Sequence, residues 1–289
     1  MRIGAHVSAA RGPWTTVENA RRRECDAIQI FSSNPRGWAL AKGAPDSDRD
    51  LTAALDQAGI GPVLLHTPYL VNIASPDADI YAKSVACLVH AADRARRMHG
   101  HVIVHAGRDA RQEVSREVRV QRAAAAVLTV LKLVPDASVL IEPTAGGRGS
   151  VASTLEETAE LLECMDDERP GLCVDTCHMH AAGHDLSSAP GVRDWLAQAD
   201  SLFGLHRVIA IHANDSKDAR GSCRDRHWHL GLGEIGETGL RTLLSAPQLS
   251  DRTVICETPG APEDDLANVR RAREYSRTDP EGRRSRAST

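Results

Sequence analysis

His101-Val102-Ile103-Val104-His105 and Ser138-Val139-Leu140-Ile141-Glu142 are two short apolar runs. The segment joining them places Val127, Val130, Leu131 and Val134 at the i, i+3, i+4, i+7 spacing of an amphipathic helix. Strand, helix, strand is the reading. Runs of the same kind, rich in Val and Ile, lie at 3–7, 26–31, 63–66, 171–175, 207–212 and 253–257. Val85, Leu88, Val89 and Ala92 repeat the helical spacing between the third run and the fourth. Leu155, Ala159 and Leu162 mark another helix, opened by Ser153 with Glu156 three residues on, a capping-box pattern. Unbroken apolar strands alternating with amphipathic helices imply a parallel sheet with covered faces. Eight such strands in 289 residues predict an α/β fold, a closed TIM (β/α)8 barrel forming a single domain over 1–273. An open doubly wound sheet is the alternative. From Glu274 to Thr289 the chain is polar, rich in Arg and Ser, with Tyr275 its one large apolar residue. Such a segment cannot bury enough surface to offset its ordering entropy, so disorder is expected there.

Hydrophobic residues make up 42% of the chain and charged ones 26%, which allows a core of ordinary size. Aromatics are only 3%, so Ala, Val, Leu and Ile must fill it. The N-terminus has no apolar signal region and no window is long and apolar enough to span a bilayer, so a cytoplasmic protein without membrane contact is expected. The seven cysteines, at 25, 87, 164, 173, 177, 223 and 256, show no zinc-finger pairing and read as reduced core thiols. A net charge of −4 argues against a general polyanion binder. It leaves room for a nucleic-acid enzyme whose site field comes from bound metal ions and local arginines.

The positions of the histidines carry more. The third run ends in His66, the fourth in His105, the fifth in Glu142, the sixth in Asp175 followed by His178, the seventh in His212 and the eighth in Glu257. In a parallel barrel these ends open on one face, where active sites are built. One histidine at a strand end is ordinary. A ring of six ionisable strand ends would defeat itself without a cation, because buried charges cost several kcal/mol unless paired or metal-bound. Asp225-Arg226-His227, after the seventh run, adds two donors on one side of an extended segment. The candidate ligands are therefore His66, His105, Glu142, Asp175, His178, His212, Asp225, His227 and Glu257. Nine donors suit two or three ions, and five imidazoles favour zinc over magnesium or calcium, with manganese or iron as competitors. Four carboxylates and three divalent ions leave the site roughly +2, which attracts phosphate. Close metal ions suit phosphoryl chemistry because they activate water and clamp attacking and leaving oxygens.

At these residues a family likeness enters. Ile3-Gly4-Ala5-His6-Val7-Ser8-Ala9-Ala10, Cys173-Val174-Asp175-Thr176-Cys177-His178, Ala181-Ala182-Gly183-His184-Asp185-Leu186, His212-Ala213-Asn214-Asp215-Ser216-Lys217 and Asp225-Arg226-His227 resemble the endonuclease IV family of apurinic/apyrimidinic (AP) endonucleases, over about residues 3 to 260. The resemblance implies a TIM barrel with three zinc ions. His66, His105 and Glu142 would hold the first. Glu142 would bridge to the second, completed by Asp175, His212 and Glu257, and His178, Asp225 and His227 would hold the third. Glu142, Asp175 and Glu257 would be the catalytic carboxylates. The implied substrate is double-stranded DNA containing abasic sites, cut 5′ to the lesion by a monomer to leave a 3′-hydroxyl and a 5′-deoxyribose phosphate, with related cleaning of blocked 3′ ends. Arg36 and Tyr69 match family positions that enter the DNA. Two departures stand out: Ala106 follows His105 where the family usually has proline, and Pro143 follows Glu142 where an asparagine is usual. Pro143 removes a backbone donor and a side-chain amide that would orient Glu142.

Weaker signals remain. Lys217 and Arg226 read either as DNA phosphate contacts or as solvated loop charges. His6 reads equally as a support to the ligands or as core. Ala145-Gly146-Gly147-Arg148-Gly149-Ser150 lacks the ending of a phosphate-binding loop and reads as a tight turn or an approach to DNA backbone. Two rival functions share the barrel: a metal-dependent sugar isomerase or epimerase, which has no need of Asp225-Arg226-His227, and a silent protein that only recognises damaged DNA.

Overall fold

The computed structural model describes residues 1–41 and 44–277. Strands and helices alternate along it: β1 (Arg2–His6), α1 (Pro13–Arg22), β2 (Ala27–Phe31), α2 (Ala44–Ala58), β3 (Val63–His66), α3 (Ala78–Arg97), β4 (His101–His105), α4 (Arg116–Leu133), β5 (Ser138–Glu142), α5 (Leu155–Met165), β6 (Gly171–Asp175), α6 (Thr176–Ala182), α7 (Ala189–Leu202), β7 (Val208–His212), β8 (Asp215–Ser216), β9 (His227–Trp228), α8 (Gly236–Leu244), β10 (Thr253–Cys256) and α9 (Pro262–Tyr275). Eight strands close a parallel barrel in the order β1-β10-β7-β6-β5-β4-β3-β2, while β8 and β9 form a separate antiparallel pair. Each barrel strand lies within one residue, at either end, of an apolar run in the sequence. The closed barrel excludes the open doubly wound sheet. Among the described residues no helix is long and apolar enough to cross a membrane.

Alternation along the strands positions the site. Ala27, Leu64, Ile103, Leu140, Cys173, Ala210 and Ile255, one from each of seven strands, form a fully buried plug inside the barrel. Residues of opposite parity, such as Leu65, Val102, Val104, Ile141, Val174 and Ile211, pack outward under the helices. Burying each large aliphatic side chain contributes about 1.5–3 kcal/mol, so the plug is a stable, dry floor. Two residues further along each strand, on the same inner face, come Gln29, His66, His105, Glu142, Asp175, His212 and Glu257. The barrel closes tightly at β1 and β2. A Cβ on Gly4 would lie 1.7 Å from the Ala27 carbonyl oxygen, so only glycine allows that approach.

Several local expectations need correction. The capping box of α5 is Thr154 with Glu157, one residue later than Ser153 with Glu156. Ser153 instead donates its backbone and hydroxyl protons to Glu157. The expectation of disorder from Glu274 is overturned at its start. Helix α9 runs through Glu274 to Tyr275, whose ring is buried at 4% exposure with the Arg241 guanidinium 4.7 Å above it. Residues 278–289 lie outside the described residues. The cysteines are all free, but only Cys25, Cys87, Cys173, Cys177 and Cys256 are buried, whereas Cys164 and Cys223 are exposed. Tyr275 therefore belongs to the folded domain. Its replacement by alanine is expected to lower the unfolding free energy by roughly 3 kcal/mol in urea denaturation, and ending the chain after Ser276 should change it little. An equal loss from both changes would mean that the segment beyond Ser276 helps to hold the helix.

Candidate metal centre

The structure brings all nine expected ligands together at the C-terminal mouth of the barrel. Glu142 lies at their middle. Its Oε2 is 3.2 Å from His66 Nε2 and 3.4 Å from His105 Nε2, and its Oε1 is 2.9 Å from His212 Nδ1. His212 Nδ1 is also 3.1 Å from Glu257 Oε2 and 3.9 Å from Asp175 Oδ2. Asp175 Oδ2 is 3.3 Å from His227 Nε2. Asp225 Oδ1, reached from the loop before β9, lies 3.0 Å from His227 Nε2 and 3.2 Å from His178 Nε2. Three groups result, each with donor atoms within 4.8 Å of one another: His66, His105 and Glu142; Glu142, Asp175, His212 and Glu257; His178, Asp225 and His227. Cys177 groups in the same way with Asp175 and His227. Burial pushes its thiol pKa up, which makes it a poor anion donor.

The far sides of these ligands are held as well. His66 Nδ1 donates to the Thr67 carbonyl at 2.7 Å, His178 Nδ1 to that of Pro143 at 3.0 Å and His227 Nδ1 to that of Glu257 at 3.0 Å. Each leaves its Nε2 facing the other ligands. Asn214 donates to Asp175 Oδ2 at 2.8 Å and accepts the Glu257 backbone proton at 2.9 Å. Pro143 thus lacks a donor yet supplies the acceptor that orients His178. Ala106 keeps an N–H that proline would lack and donates it to the Glu142 carbonyl at 3.0 Å. The sequence reading missed Asn214 and Gln29. Asn214 lies within the segment His212-Ala213-Asn214-Asp215-Ser216-Lys217, and the one signal from Gln29 is a polar residue inside the apolar run Ala27-Ile28-Gln29-Ile30-Phe31.

Charge explains the cohesion of the site. Burial works against ionisation of Glu142, but His212 and His105 overcome it and hold the carboxyl well below its usual range. Glu257 is held low against burial chiefly by His212, and Asp225 by the imidazoles of His178 and His227 beside it. In turn, burial opposes protonation of His178 and His212, and nearby anions, Asp175 foremost for His178, lift both well above the ordinary imidazole value. His227 rises to about 9 for the same reason. His105 goes the other way, because burial outweighs its attraction to Glu142. Nε2 of His178 and of His227 is buried without a hydrogen-bond partner, although both face the Asp225 carboxylate. Orphaned imidazole nitrogens converging with carboxylates are the donor chemistry that divalent cations take, so these residues fit a metal cluster.

The rim residues divide. Arg36 is exposed, its backbone N–H donating to Asn34 Oδ1 at 3.0 Å. Tyr69 is 69% exposed, its ring edge-on to Phe31 at 5.1 Å, and its N–H donates to the Pro35 carbonyl at 3.1 Å. The two loops that carry them are therefore tied together. The Lys217 ammonium sits 4.7 Å over the Trp228 ring. Arg226 is not a free cation, since its guanidinium pairs with Asp218. His6 is not core but a neighbour of the ligands, with Nδ1 3.6 Å from Glu257 Oε1 and its ring centroid 4.4 Å from that of Phe31. The glycine-rich loop is a tight turn, in which a Cβ on Gly149 would lie 1.8 Å from the Asp109 carbonyl oxygen.

Residues 17–278 match a family model described as a xylose isomerase-like TIM barrel. A probable endonuclease 4 of Methanoculleus marisnigri is 40% identical over 281 residues, which span 95% of this chain and 98% of the relative. One of Methanosphaerula palustris is 40% identical over 280 residues, 94% and 97% of the two chains. The crystal structure of endonuclease IV from Thermus thermophilus superimposes with a TM-score of 0.84 at 35% identity, covering 95% of this chain and 98% of that one.

Metal-free and metal-loaded protein should respond differently to alkali. The pKa of His227 is raised from 6.5 to about 9 in the folded, metal-free state. Its contribution to stability is thus complete below about pH 6.5 and is lost as pH rises through about 9. A bound cation takes the place of such protons, so its affinity should rise over the same interval. The expected result is a Tm in chelator that falls between pH 6.5 and 9, with a gap to the zinc-supplemented Tm that widens. A constant gap would show that these imidazoles do not hold the metal.

Proposed function

This chain belongs to the endonuclease 4 family of xylose isomerase-like TIM barrels, and we propose on that basis that it is a DNA-repair endonuclease cutting the phosphodiester 5′ to abasic sites. The observation that carries the reading is Glu142, a sealed carboxylate shared by two groups of donors, with a third group 3.3 to 3.4 Å beyond them. Five imidazoles among nine ligands favour zinc, and three groups favour three ions. Bound zinc would supply Lewis acidity, lowering the pKa of water and offsetting charge on the phosphate. Everything else falls to the chain. The aliphatic plug keeps water from beneath the carboxylates, and Asn214 fixes Asp175 and the backbone of Glu257. Glu142 and Asp175 are closed to solvent, but Glu257 keeps 18% of its side chain exposed. Glu257 is therefore the carboxylate able to pass on the proton of the attacking water. The products are a 3′-hydroxyl and a 5′-deoxyribose phosphate, and blocked 3′ ends present the same bond to the same ligands. The protein works as a monomer on double-stranded DNA.

Selectivity follows from access. A phosphate in straight duplex DNA cannot reach a barrel mouth unless the nucleotide turns outward, at a cost of a few kcal/mol of stacking and pairing. An abasic nucleotide has no base to unstack. Arg36 and Tyr69, exposed on two linked loops, fill the opened stack, where each aromatic contact is worth about 1–3 kcal/mol. A sugar isomerase has no use for the donors Asp225 and His227, and a silent recognition protein has none for the whole cluster.

Incubation with a duplex carrying one abasic site is the decisive test. Nicking should leave an extendable 3′-hydroxyl, and borohydride should trap no protein–DNA adduct. A covalent adduct would place the chain among lyases, and an intact duplex would end the nuclease reading. Glu142→Ala should empty metal from the first two groups and slow cleavage more than tenfold, about 1.4 kcal/mol of barrier. Full metal content with near-normal cleavage would refute the bridging role. Arg36→Ala with Tyr69→Ala should lower kcat/KM on abasic duplex about ten- to a thousandfold at unchanged metal content, with a much smaller loss on a single-stranded abasic oligonucleotide. Equal losses on both substrates would rule out a role in filling the stack.

A further inference from the structure

Gln29 is fully buried in β2, on the inner face of the barrel, in a run otherwise apolar. Its carboxamide is completely engaged. Nε2 donates to Glu257 Oε1 at 2.5 Å and to His6 Nδ1 at 3.1 Å, while Oε1 accepts from His212 Nε2 at 2.7 Å. Only one orientation of the amide is consistent with these partners. The Glu257 carboxylate can accept but not donate, so the NH2 group must face it and the carbonyl must face His212. The carbonyl then requires a proton on His212 Nε2. In a neutral ring this leaves the lone pair on Nδ1, the atom that meets Glu142 at 2.9 Å, Glu257 at 3.1 Å and Asp175 at 3.9 Å.

His212 is thereby the reverse of His66, His178 and His227, which give Nδ1–H to backbone carbonyls and present Nε2. Geometry accounts for the difference. Those three rings reach carbonyls at strand ends and in loops. The ring of His212 instead points across the barrel to β2, whose backbone is committed to the ladders with β1 and β3. At that depth a side chain must supply the acceptor. We propose that Gln29 is a positioning residue, which selects Nδ1 of His212 as the metal-binding nitrogen and holds Glu257 in register with it. This rests on the metal-centre reading but not on the identity of the nucleic-acid substrate.

The experiment uses the full, zinc-loaded chain labelled with 15N-histidine. Long-range 1H–15N correlation should find the His212 proton on Nε2, with the signal assigned through a His212→Asn variant. Gln29→Met has similar length, no donor and only a weak thioether acceptor. It should raise the free zinc needed to half-fill the Glu142, Asp175, His212 and Glu257 group by about ten- to a hundredfold. Gln29→Glu retains an acceptor for His212 and should keep the Nε2 proton while still binding zinc more weakly, since it sets a second carboxylate against Glu257. A wild-type His212 protonated on Nδ1 would overturn the proposal, and that measurement needs no variant to fold. So would a Gln29→Met protein that fills with zinc at the wild-type midpoint. Neither readout involves DNA, so failure of the wild type to nick an abasic duplex would sink the repair reading and leave this one standing.

Discussion

A carboxylate with 1% of its surface exposed, at the base of a barrel mouth, must be compensated by positive charge within a few ångströms. Glu142 is that group, and the site is organised around it. Imidazoles from β3, β4, α6 and β7 surround it within 3.4 Å. Three of those imidazoles, His66, His178 and His212, are themselves buried, and each needs an anion or a cation in turn, which draws in Asp175, Asp225 and Glu257. The result is an alternation of charges across the barrel mouth. Protons complete it without metal, and bound cations would take their place.

Much of this is legible in the sequence. Strand period puts residues i and i+2 on one face, so a ligand two places after a plug residue follows from the pattern Leu64/His66, Ile103/His105, Leu140/Glu142. What was not legible depends on three dimensions. Ser153 and Thr154 both stand three residues before a glutamate, and only the backbone register decides which caps α5. Helix α9 buries Val269, Ala272 and Tyr275, but the charged residues between them disguise so short a stripe as a polar tail. Gln29 and Asn214 act through hydrogen bonds to residues far away in sequence, and nothing local marks them.

The two departures from the family pattern acquire a physical account. Proline after Glu142 costs a donor, yet its carbonyl accepts from His178. Alanine after His105 restores an N–H, and that N–H goes to the backbone of Glu142. One hydrogen-bonding group is lost and another gained within the same pair of adjacent strands. The central carboxylate is therefore anchored through its main chain as well as through its oxygens.

The hairpin of β8 and β9 gives this centre an inside and an outside. Glu142 and His212 are rooted in the barrel wall, whereas Asp225 comes from a loop and is 51% exposed. A cation held between His178, Asp225 and His227 would escape by the swing of one surface carboxylate. A cation at Glu142 would leave only if strand ends parted. Exchange kinetics across the cluster should thus be graded, with a labile pole facing solvent and an inert pole over the plug.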